Sequence, residues 1–329
     1  MRKLALALSL VLFFCLSGCY FSVPVEKSTY FAMDTVITAE IHDQEAKELN
    51  KKIFDLVNEM ASGLDAENIP TDKISPENKH IYQLLGASLA LSKLTGGTFD
   101  VTIGGIINAW GFDDKNYRVP TAQELEQLRA AAGFERVEGT EQGYFLPKGC
   151  RINFGAIAKG YISDYIFSEL QLGLADGAII SLGGNVIAYG SNKGNPWKIG
   201  IENPSGDGSV VGVMQLTDCF AVTSGGYHRN FTQDGITYHH IIDPATGYPA
   251  ENDLLSVTIV SKSGVWCDAF STALFVMGSE KAIQFWKNFE YDFDFVLITK
   301  SGEIIVSAPL SEKITSTIIA HASENSKEI

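Results

Sequence analysis

The sequence predicts an α+β fold in which largely antiparallel sheets pack against helices. From residue 150 onward, short β-rich segments follow one another with turns between them, which is typical of strands joined as hairpins. Helical periodicity is concentrated in other stretches, so the elements do not alternate as they would around a parallel sheet. The strands predicted in this part of the chain are 177–190, 197–203, 209–217, 219–223, 236–242, 254–261 and 293–299.

The remaining elements follow from alternation, helical spacing and capping signals. A strand is predicted over residues 30–41, where the pattern alternates and is rich in β-formers, and an amphipathic helix follows over 43–62. A second helix over 79–95 ends at Gly96-Gly97, and TAQE at 121–124 matches a capping box that begins a third helix. Further helices are predicted over 156–172, 264–277 and 279–289.

The overall charge argues against several classes of partner. The formal net charge is −14 at pH 7, which argues against nucleic acid because phosphate binding requires a basic face. The same charge argues against attachment to an anionic membrane surface by electrostatics alone. With 329 residues, 45 % of them hydrophobic, the chain can bury a large core as one domain or two.

The N-terminus has the features of an export signal. Arg2 and Lys3 precede an apolar run from Leu4 to Leu16, which is too short to span a bilayer. The LSGC sequence that ends at Cys19 resembles the lipobox of bacterial lipoproteins, although an ordinary cleaved signal beside an incidental cysteine is the alternative. The expected segments are a signal peptide (1–18), a lipidated Cys19 with its tether (19–29), a folded domain (30–310) and a loosely held tail (311–329).

This organisation predicts where the mature protein resides. Lipid on Cys19 would anchor it outside the cytoplasm, on the bacterial cell membrane, or on its periplasmic face if the cell has two membranes. Three cysteines remain after processing, Cys150, Cys219 and Cys267, and their apolar surroundings predict buried free thiols. No CxxC or Cys/His spacing typical of zinc is present, so a zinc site is not expected.

A polar pair interrupts one of the most apolar predicted helices. In CDAFST, residues 267–272, Asp268 and Thr272 are four positions apart and would share one face of the helix. A buried carboxylate normally has a partner or a metal, because burying it alone is unfavourable. The simpler interpretation is that Asp268 caps a neighbouring helix or pairs with an arginine, while Thr272 bonds its own backbone.

A second candidate segment is INFGAIAKGYISDYI, residues 152–166, predicted as a strand that passes through Gly155 into a helix. Glycine lets backbone groups approach a ligand closely, and a helix N-terminus attracts phosphate. Lys159 would add a cation for a phosphate oxygen. The alternative is an ordinary strand-to-helix turn with a surface lysine.

The stretch 223–249 concentrates further candidate site residues and holds three of the six histidines. A hairpin turn is predicted at Asp234-Gly235, and His240 begins the apolar segment His-Ile-Ile-Asp-Pro beside tight turns. These surroundings favour a chemical role for His240. The alternative is a structural histidine satisfied by its neighbours.

Several segments, taken together, resemble the ApbE family, the FAD:protein FMN transferases. They are MDT (33–35), GGTFDVTIGGIINAWGF (96–112), NFGAIAKGY (153–161), SLGGN (181–185), TSGGYHRNF (223–231), HIIDPATGYP (240–249) and CDAFSTALFVMG (267–278). They occur in order over nearly the whole mature chain and are specific as a set. The resemblance implies an ApbE-like architecture related to the T-fold, and the lipobox fits because many members are exported lipoproteins.

The resemblance implies Mg²⁺ as cofactor and FAD as substrate. In the family the Asp and Thr of a D-x-x-x-T segment bind Mg²⁺, which here are Asp268 and Thr272, with the backbone oxygen of Ala156 as a third ligand. Hard oxygen ligands completed by substrate phosphate suit magnesium. The positions matched to FAD contacts are Met33, Thr98, Phe99, Asp100, Asn153, Lys159 and Ile242.

The implied reaction is Mg²⁺-dependent transfer of FMN from FAD to a Thr or Ser hydroxyl of an acceptor protein, with release of AMP. Asp268 would act through the metal, and His240 is the candidate base because a neutral imidazole suits proton transfer near pH 7. The acceptor is expected to be an exported redox protein with a D-x-x-T/S-G-A-T/S-type motif. Two alternatives remain: hydrolysis of FAD to FMN and AMP by the same site, and FAD storage without chemistry.

Three positions depart from the family pattern. Asn153 stands where many members have Asp, and Leu64 stands where an aromatic residue is common. Ser271 stands where some members have a second carboxylate in the metal segment. We therefore expect fewer charges around the metal, and less aromatic stacking on FAD, than in those members.

Overall fold

The computed structural model describes residues 23–289 and 293–315 and builds them from antiparallel strands and helices. The strands are β1 (Val25–Ala32), β2 (Thr35–His42), β3 (Lys73–Ile74), β4 (Glu138–Thr140), β5 (Gly143–Phe145), β6 (Gly177–Leu182), β7 (Asn185–Gly190), β8 (Trp197–Glu202), β9 (Val210–Leu216), β10 (Cys219–Gly225), β11 (Asn230–Gln233), β12 (Ile236–His239), β13 (Leu254–Ser261), β14 (Phe293–Thr299), β15 (Ile304–Val306) and β16 (Ile314–Thr315). The helices are α1 (Ala46–Gly63), α2 (Lys79–Leu94), α3 (Gly104–Trp110), α4 (Ala122–Ala131), α5 (Ala158–Leu172), α6 (Gly264–Met277), α7 (Ser279–Asn288) and α8 (Ala308–Ser311).

The centre of the molecule is an eight-stranded sheet with the order β1-β2-β6-β7-β10-β13-β14-β15. Smaller sheets have the orders β16-β9-β8 and β3-β5-β4, and β11 pairs with β12. The pairings between neighbouring strands in these sheets are antiparallel. The predicted α+β class with largely antiparallel sheets is therefore confirmed.

Alternation along the strands separates two hydrophobic clusters on opposite faces of the central sheet. On one face, Ile180 of β6 and Val257 of β13 pack with α1, α5 and α6 in the main core. On the other face, Ala221 of β10 packs with Trp197 of the small β16-β9-β8 sheet. Because both faces of the sheet are covered, β13 and β14 are buried along almost their whole length.

A third cluster joins α3 and α4 to the region that follows β12. Trp110 of α3 is fully buried among Phe112, Leu125 and Ile242. Its indole Nε1 donates a hydrogen bond to the Gly247 carbonyl oxygen at 2.8 Å. This cluster holds the 240–249 segment against the loop that follows α3, and so builds one wall of the site described below.

Helices α5 and α6 cross where each has a glycine. A Cβ atom added to Gly160 would lie 2.2 Å from the Gly264 carbonyl oxygen, and one added to Gly264 would lie 2.4 Å from the Gly160 carbonyl oxygen. The two backbones are therefore in direct contact. Only glycine permits this approach, and it brings the side chains of α6 to the N-terminus of α5.

The crossing is completed by reciprocal capping. Asp268 of α6 accepts a hydrogen bond from the Gly160 N–H of α5 at 2.8 Å. Asp164 of α5 accepts from the Gly264 N–H at 2.6 Å and from the Val265 N–H at 3.0 Å, at the start of α6. Each helix thus satisfies free N–H groups of the other, which sets the rotation of α6 and the direction of its polar face.

Several sequence predictions need correction. The strand predicted over 30–41 is a hairpin of β1 and β2, and its turn residues Met33 and Asp34 have positive φ values of 53° and 56°. Strand β1 begins at Val25, so the predicted tether over 19–29 is wrong for its last residues. The strand predicted over 177–190 is likewise two strands, β6 and β7. Glycine and turn conformations inside alternating runs break them into hairpins.

Other differences concern shorter segments. The strand expected before Gly155 is reduced to a single bridge between Arg151 and Ile103, and helix α3 was not predicted. Ile314–Thr315 pairs with β9, inside the tail that was expected to be loosely held. The hairpin turn at Asp234-Gly235 is confirmed, with φ values of 53° and 79°.

The features predicted for export lie mostly outside the described residues. The signal peptide over 1–18 and Cys19 fall there, as do residues 316–329. Within the described ranges, none of the helices combines the length and apolar character needed to cross a bilayer. Cys150, Cys219 and Cys267 are buried free thiols, as predicted.

Candidate active site

The predicted site residues in the described ranges converge on one cleft, with the exception of Met33. The cleft lies between the N-terminus of α5, the polar face of α6, the β6–β7 turn, the end of β10 and the 240–249 segment. The predicted residues that line it are Thr98, Phe99, Asp100, Asn153, Ala156, Lys159, His240, Ile242, Asp268 and Thr272.

Met33 is the predicted FAD contact that the structure does not bring into the cleft. It occupies the β1–β2 turn and packs against the main core. A neighbour of Met33, Thr35, does approach the cleft wall, because a Cβ atom added to Gly183 would lie 2.0 Å from the Thr35 Oγ1. The β1–β2 turn therefore supports the cleft from behind the β6–β7 turn.

Asp268 fits both interpretations of the CDAFST segment. It is 4 % exposed, and its Oδ2 caps α5 through Gly160, as the simpler interpretation expected. Its Oδ1 accepts no hydrogen bond of good geometry from the described residues, and the carboxyl group lines the cleft. Burial raises the pKa of Asp268, while the nearby Lys159 ammonium acts in the opposite direction. One oxygen is structural, and the other is available to a ligand.

Asn185 is a site residue that sequence analysis missed. Its side chain is 1 % exposed and lines the cleft beside Asp268. Neither its Oδ1 nor its Nδ2 has a hydrogen-bond partner of good geometry among the described residues. An unpaired buried polar group costs about 1–3 kcal/mol, so this amide indicates a ligand site. The available signal was a polar residue at the start of an otherwise apolar strand, directly after Gly183-Gly184.

His240 is held in one orientation by the Arg229 carbonyl. Its Nδ1 lies 3.0 Å from that oxygen, which can only accept, so Nδ1 carries the proton. The Nε2 atom is therefore the unprotonated nitrogen. Burial, with the Arg229 guanidinium as the second cause, lowers the pKa of His240 to about 3. The imidazole is neutral at physiological pH and presents a lone pair.

Asp100, one of the predicted FAD contacts, already accepts hydrogen bonds from other residues of the protein. Asp100 accepts hydrogen bonds from the Thr102 N–H at 2.8 Å, the Thr102 hydroxyl at 2.7 Å and the Phe134 N–H at 3.1 Å. Its carboxylate thus organises the loop that lines the cleft. Burial raises the pKa of Asp100, and these donors oppose the shift.

The departure at Asn153 has a structural reason. The Asn153 Oδ1 accepts from the Gly155 N–H at 2.8 Å, and Nδ2 donates to Asp113 Oδ2 at 2.9 Å. Aspartate at this position would place two carboxylates together, so asparagine with Asp113 retains one negative charge at the cleft. Leu64, the second of the three departures, is 5 % exposed in the main core and does not line the cleft.

The donor set determines which cation this cleft could hold. In residues 23–289 and 293–315, no group of three or more His, Cys, Asp and Glu side chains is arranged to bind a metal ion. A cation here would be bound by the Asp268 carboxylate, the Thr272 hydroxyl and the Ala156 carbonyl, with water or oxygens of a bound ligand completing its coordination. Such a hard and incomplete set of oxygen atoms fits Mg²⁺, and the second Asp268 oxygen and the unpartnered Asn185 amide, which both line the cleft, fit a site for a bound ligand.

Comparison with known proteins assigns the family. The model of the ApbE family matches residues 23–297. This chain belongs to the ApbE family. It is 32 % identical over 255 residues to the FAD:protein FMN transferase of Treponema pallidum, covering 72 % of this chain and 70 % of the relative.

Solved structures of family members share the fold. The ApbE protein of Thermotoga maritima superposes with a TM-score of 0.81 at 28 % identity, covering 88 % of this chain and 99 % of that chain. The flavinyl transferase ApbE of Pseudomonas stutzeri, in its apo form, gives a TM-score of 0.77 at 26 % identity, covering 89 % and 98 %. The predicted ApbE-like architecture is confirmed.

Proposed function

We propose that this protein transfers FMN from FAD to a Thr or Ser hydroxyl of an acceptor protein, in a Mg²⁺-dependent reaction that releases AMP. The proposal rests on one observation: Asp268 and His240 line the same cleft. Asp268 caps α5 with only one carboxylate oxygen, and the His240 imidazole is neutral. A FAD store would need neither group. The relatives named FAD:protein FMN transferase support the same chemistry.

Asp268, Thr272 and the Ala156 carbonyl are the residues that would hold Mg²⁺. Asp268 can bind a cation with the oxygen that does not cap α5, so metal binding does not disturb the helix crossing. When bound, Mg²⁺ would neutralise charge on the FAD diphosphate and on the departing AMP phosphate.

Lys159 and the N-terminus of α5 would bind the diphosphate itself. Lys159 is the second residue of α5, and it lines the cleft beside Gly155 and Ala156. Free N–H groups at a helix N-terminus and a lysine ammonium both favour phosphate oxygens. This placement orients the FMN-side phosphorus for attack, and such positioning supplies much of the catalysis in phosphoryl transfer.

His240 would accept the proton of the acceptor hydroxyl. With Nδ1 donating to the Arg229 carbonyl, Nε2 is the atom that takes the proton. The hydroxyl oxygen bonds to the FMN-side phosphorus as the diphosphate P–O bond to AMP breaks, and the bonding electrons leave with AMP. In the ligand-free protein the pKa of His240 is about 3, and the negative diphosphate beside it would raise that pKa toward a value suited to a base.

The acceptor and the location extend the proposal. We expect the acceptor to be an exported or membrane-bound redox protein with a D-x-x-T/S-G-A-T/S-type segment. The enzyme would meet it outside the cytoplasm while held to the bacterial membrane by lipid on Cys19. Two independent readouts would bear on the anchor: mass spectrometry of the mature N-terminus, and release of a Cys19→Ser variant from the membrane fraction.

The test combines a covalent and a soluble product in one tube. The purified protein is incubated with FAD, Mg²⁺ and an acceptor domain that carries the motif. Covalent flavin is then read by fluorescence on a denaturing gel, and AMP is quantified. We expect a fluorescent acceptor band with equimolar AMP, lost with EDTA and lost when the acceptor Thr or Ser is replaced by Ala.

Other outcomes would select the alternatives. AMP and free FMN in equal amounts, with no labelled band for any acceptor, would indicate a hydrolase. Bound FAD with neither product, in the presence of Mg²⁺, would indicate a flavin-binding protein. The Asp268→Ala variant separates these cases further, because retained FAD binding with abolished turnover excludes storage as the sole function.

A further inference from the structure

A chain of hydroxyl groups beside Asp268 has hydrogen bonds that run in one direction only. Ser271 Oγ lies 2.9 Å from the Asp268 backbone oxygen, which can only accept, so Ser271 is the donor. Ser224 Oγ lies 2.8 Å from Ser271 Oγ. A hydroxyl has one proton, and that of Ser271 is already committed. Ser224 must therefore donate to Ser271.

The same reasoning reaches the Thr272 hydroxyl. Ser224 Oγ lies 3.4 Å from Thr272 Oγ1, and because the Ser224 proton is committed to Ser271, Thr272 must donate to Ser224. The proton of Thr272 then points at β10, and its remaining lone pair is free for the cleft. This is the orientation that a cation ligand requires, since a hydroxyl proton aimed at a cation would repel it.

We infer that Ser224 is a positioning residue that orients the Thr272 hydroxyl for cation binding, and that Ser271 sets the direction of the chain. The inference rests on the metal site of the proposed function. It assigns a use to Ser271, the position where some family members have a carboxylate. Through Ser271 and Ser224, the Asp268 backbone carbonyl thereby sets the direction of the Thr272 hydroxyl proton. Thr272 lies one helical turn after Asp268.

The surroundings are rigid enough to maintain this order. Ser224 lies in β10, where it pairs with Val257 of β13 in the central sheet. Ser271 is completely buried in α6. Groups that orient a metal ligand in this way typically change metal affinity by 10–100-fold when they are removed. The expected change lies at the lower end, because the longest contact in the chain is 3.4 Å.

The test measures cation affinity directly, with Mn²⁺ as the probe for the magnesium site. Free Mn²⁺ is followed by electron paramagnetic resonance during titration of the purified protein, without FAD or acceptor. We expect Ser224→Ala to raise the Kd about tenfold. Ser224→Thr, which keeps the hydroxyl, should retain the affinity of the unaltered protein. Asp268→Ala gives the reference for loss of the site.

A matched control removes a hydroxyl that is not in the chain. Thr258 of β13 bonds Thr223 Oγ1 at 2.8 Å and does not line the cleft. Thr258→Val should leave the Mn²⁺ Kd unchanged, although it breaks a part-buried hydrogen bond between two hydroxyl groups next to Ser224. Thermal unfolding of each variant verifies that the compared proteins are folded.

A double-variant cycle distinguishes a directed chain from local packing. Ser271→Ala should also weaken Mn²⁺ binding, because the Ser224 proton is then free to turn toward Thr272. The Ser224→Ala/Ser271→Ala protein should bind no more weakly than Ser224→Ala alone, because both changes break one chain. Independent packing effects would instead multiply the two losses.

Three results would overturn the inference. They are an unaltered protein that binds Mn²⁺ no better than Asp268→Ala, a Ser224→Ala Kd within twofold of the unaltered protein, and multiplicative losses in the cycle. If Ser224→Ala does not fold, Ser271→Ala decides the matter, since its Kd must rise measurably. None of these readouts uses FAD or an acceptor, so failed flavin transfer with the expected Mn²⁺ results would refute the proposed function and leave this inference standing.

Discussion

Asp164 and Asp268 occupy equivalent places on two crossing helices, yet only one of them faces the cleft. Both cap the partner helix, and burial raises the pKa of both carboxyl groups. Asp164 uses both oxygens, accepting from the N–H groups of Gly264 and Val265. Asp268 uses Oδ2 alone, for Gly160. A carboxylate that caps a helix with one oxygen can thus bind a ligand with the other oxygen.

The difference between the two carboxylates follows from the ends of the helices that they meet. The start of α6 is closed by Asp164 and by Ser263, whose side chain accepts from the Trp266 N–H. The start of α5 has no side-chain cap from its own N-cap residue, Ile157. The Ala158 N–H donates to the Phe154 carbonyl oxygen at 2.8 Å and the Gly160 N–H donates to Asp268. The Lys159 N–H and the second Asp268 oxygen therefore meet at the cleft, where phosphate and a cation would complete them.

The largest effect expected from this comparison is on activity, at Asp268. Asp268→Ala should lower FMN transfer about 1,000-fold, because the only carboxylate among the proposed metal ligands is lost. Asp268→Asn should do nearly the same while keeping an oxygen that accepts from Gly160, so its unfolding free energy should change little. Single-turnover labelling of an acceptor and urea denaturation measure the two effects. Labelling above a tenth of the normal rate in Asp268→Asn would contradict the assignment.

The next effect is on stability, at Asp164. Asp164→Ala should lower the unfolding free energy by about 2–3 kcal/mol, because two N–H groups at the start of α6 lose their acceptor. Transfer per folded molecule should fall less than tenfold, since Asp164 does not line the cleft. The midpoint of urea denaturation and the rate normalised to bound FAD test this. A larger loss of activity than in Asp268→Ala would remove the distinction between the two residues.

A comparable loss of stability is expected at the glycine contact itself. Gly160→Ala should cost about 1–3 kcal/mol, because the new Cβ meets the Gly264 backbone and the Asp268 Cβ, which cannot both retreat. Gly63→Ala is the matched control, since Gly63 is also helical but a Cβ there has nothing within 4 Å. That variant should be neutral or more stable by about 0.5–1 kcal/mol. Equal effects of the two variants would show that the helix crossing tolerates separation.

The last expected effect is a change in pH dependence at His240, which is absent at neutral pH and develops only as the solution is acidified. Its folded pKa of about 3 lies below the usual value of 6.5, so the unfolded chain binds the additional proton between these values. The His240 contribution to stability is therefore complete above pH 6.5 and is lost as pH falls toward 3. His240→Gln should show a shallower loss of stability between these values, measured by urea denaturation at a series of pH values. Parallel curves would show that the pKa of His240 is not depressed.

Most of the fold could be predicted because its signals are local. Helical spacing at 43–62 and 264–277 and the turn at Asp234-Gly235 predicted elements that the structure confirms. The errors arose where alternation continues through a turn, as at Met33-Asp34 and Gly183-Gly184. Alternating segments on either side of a tight turn have the same pattern as one longer strand, so periodicity alone does not separate them.

The candidate site was predicted less completely, and for a different reason. The spacing of Asp268 and Thr272 placed both on one face of a helix, and the cleft includes them. Asn185 and Ser224 could not be assigned in the same way, because their significance lies in partners that are absent or distant in sequence. An unpartnered amide and a directed chain of hydroxyls are properties of three-dimensional surroundings.

The sequence by itself determined the fold class, the membership of the candidate segments in one family, and the polar face of α6. Helix and strand periodicity and short motifs carry these properties along the chain. Tertiary structure alone decided which Asp268 oxygen is free, which His240 nitrogen is protonated and which way the Thr272 hydroxyl points. Each depends on a hydrogen-bond partner contributed by another element: Gly160, Arg229 and Ser224. Hydrogen-bond direction follows from the available acceptors, and the fold is what brings those acceptors together.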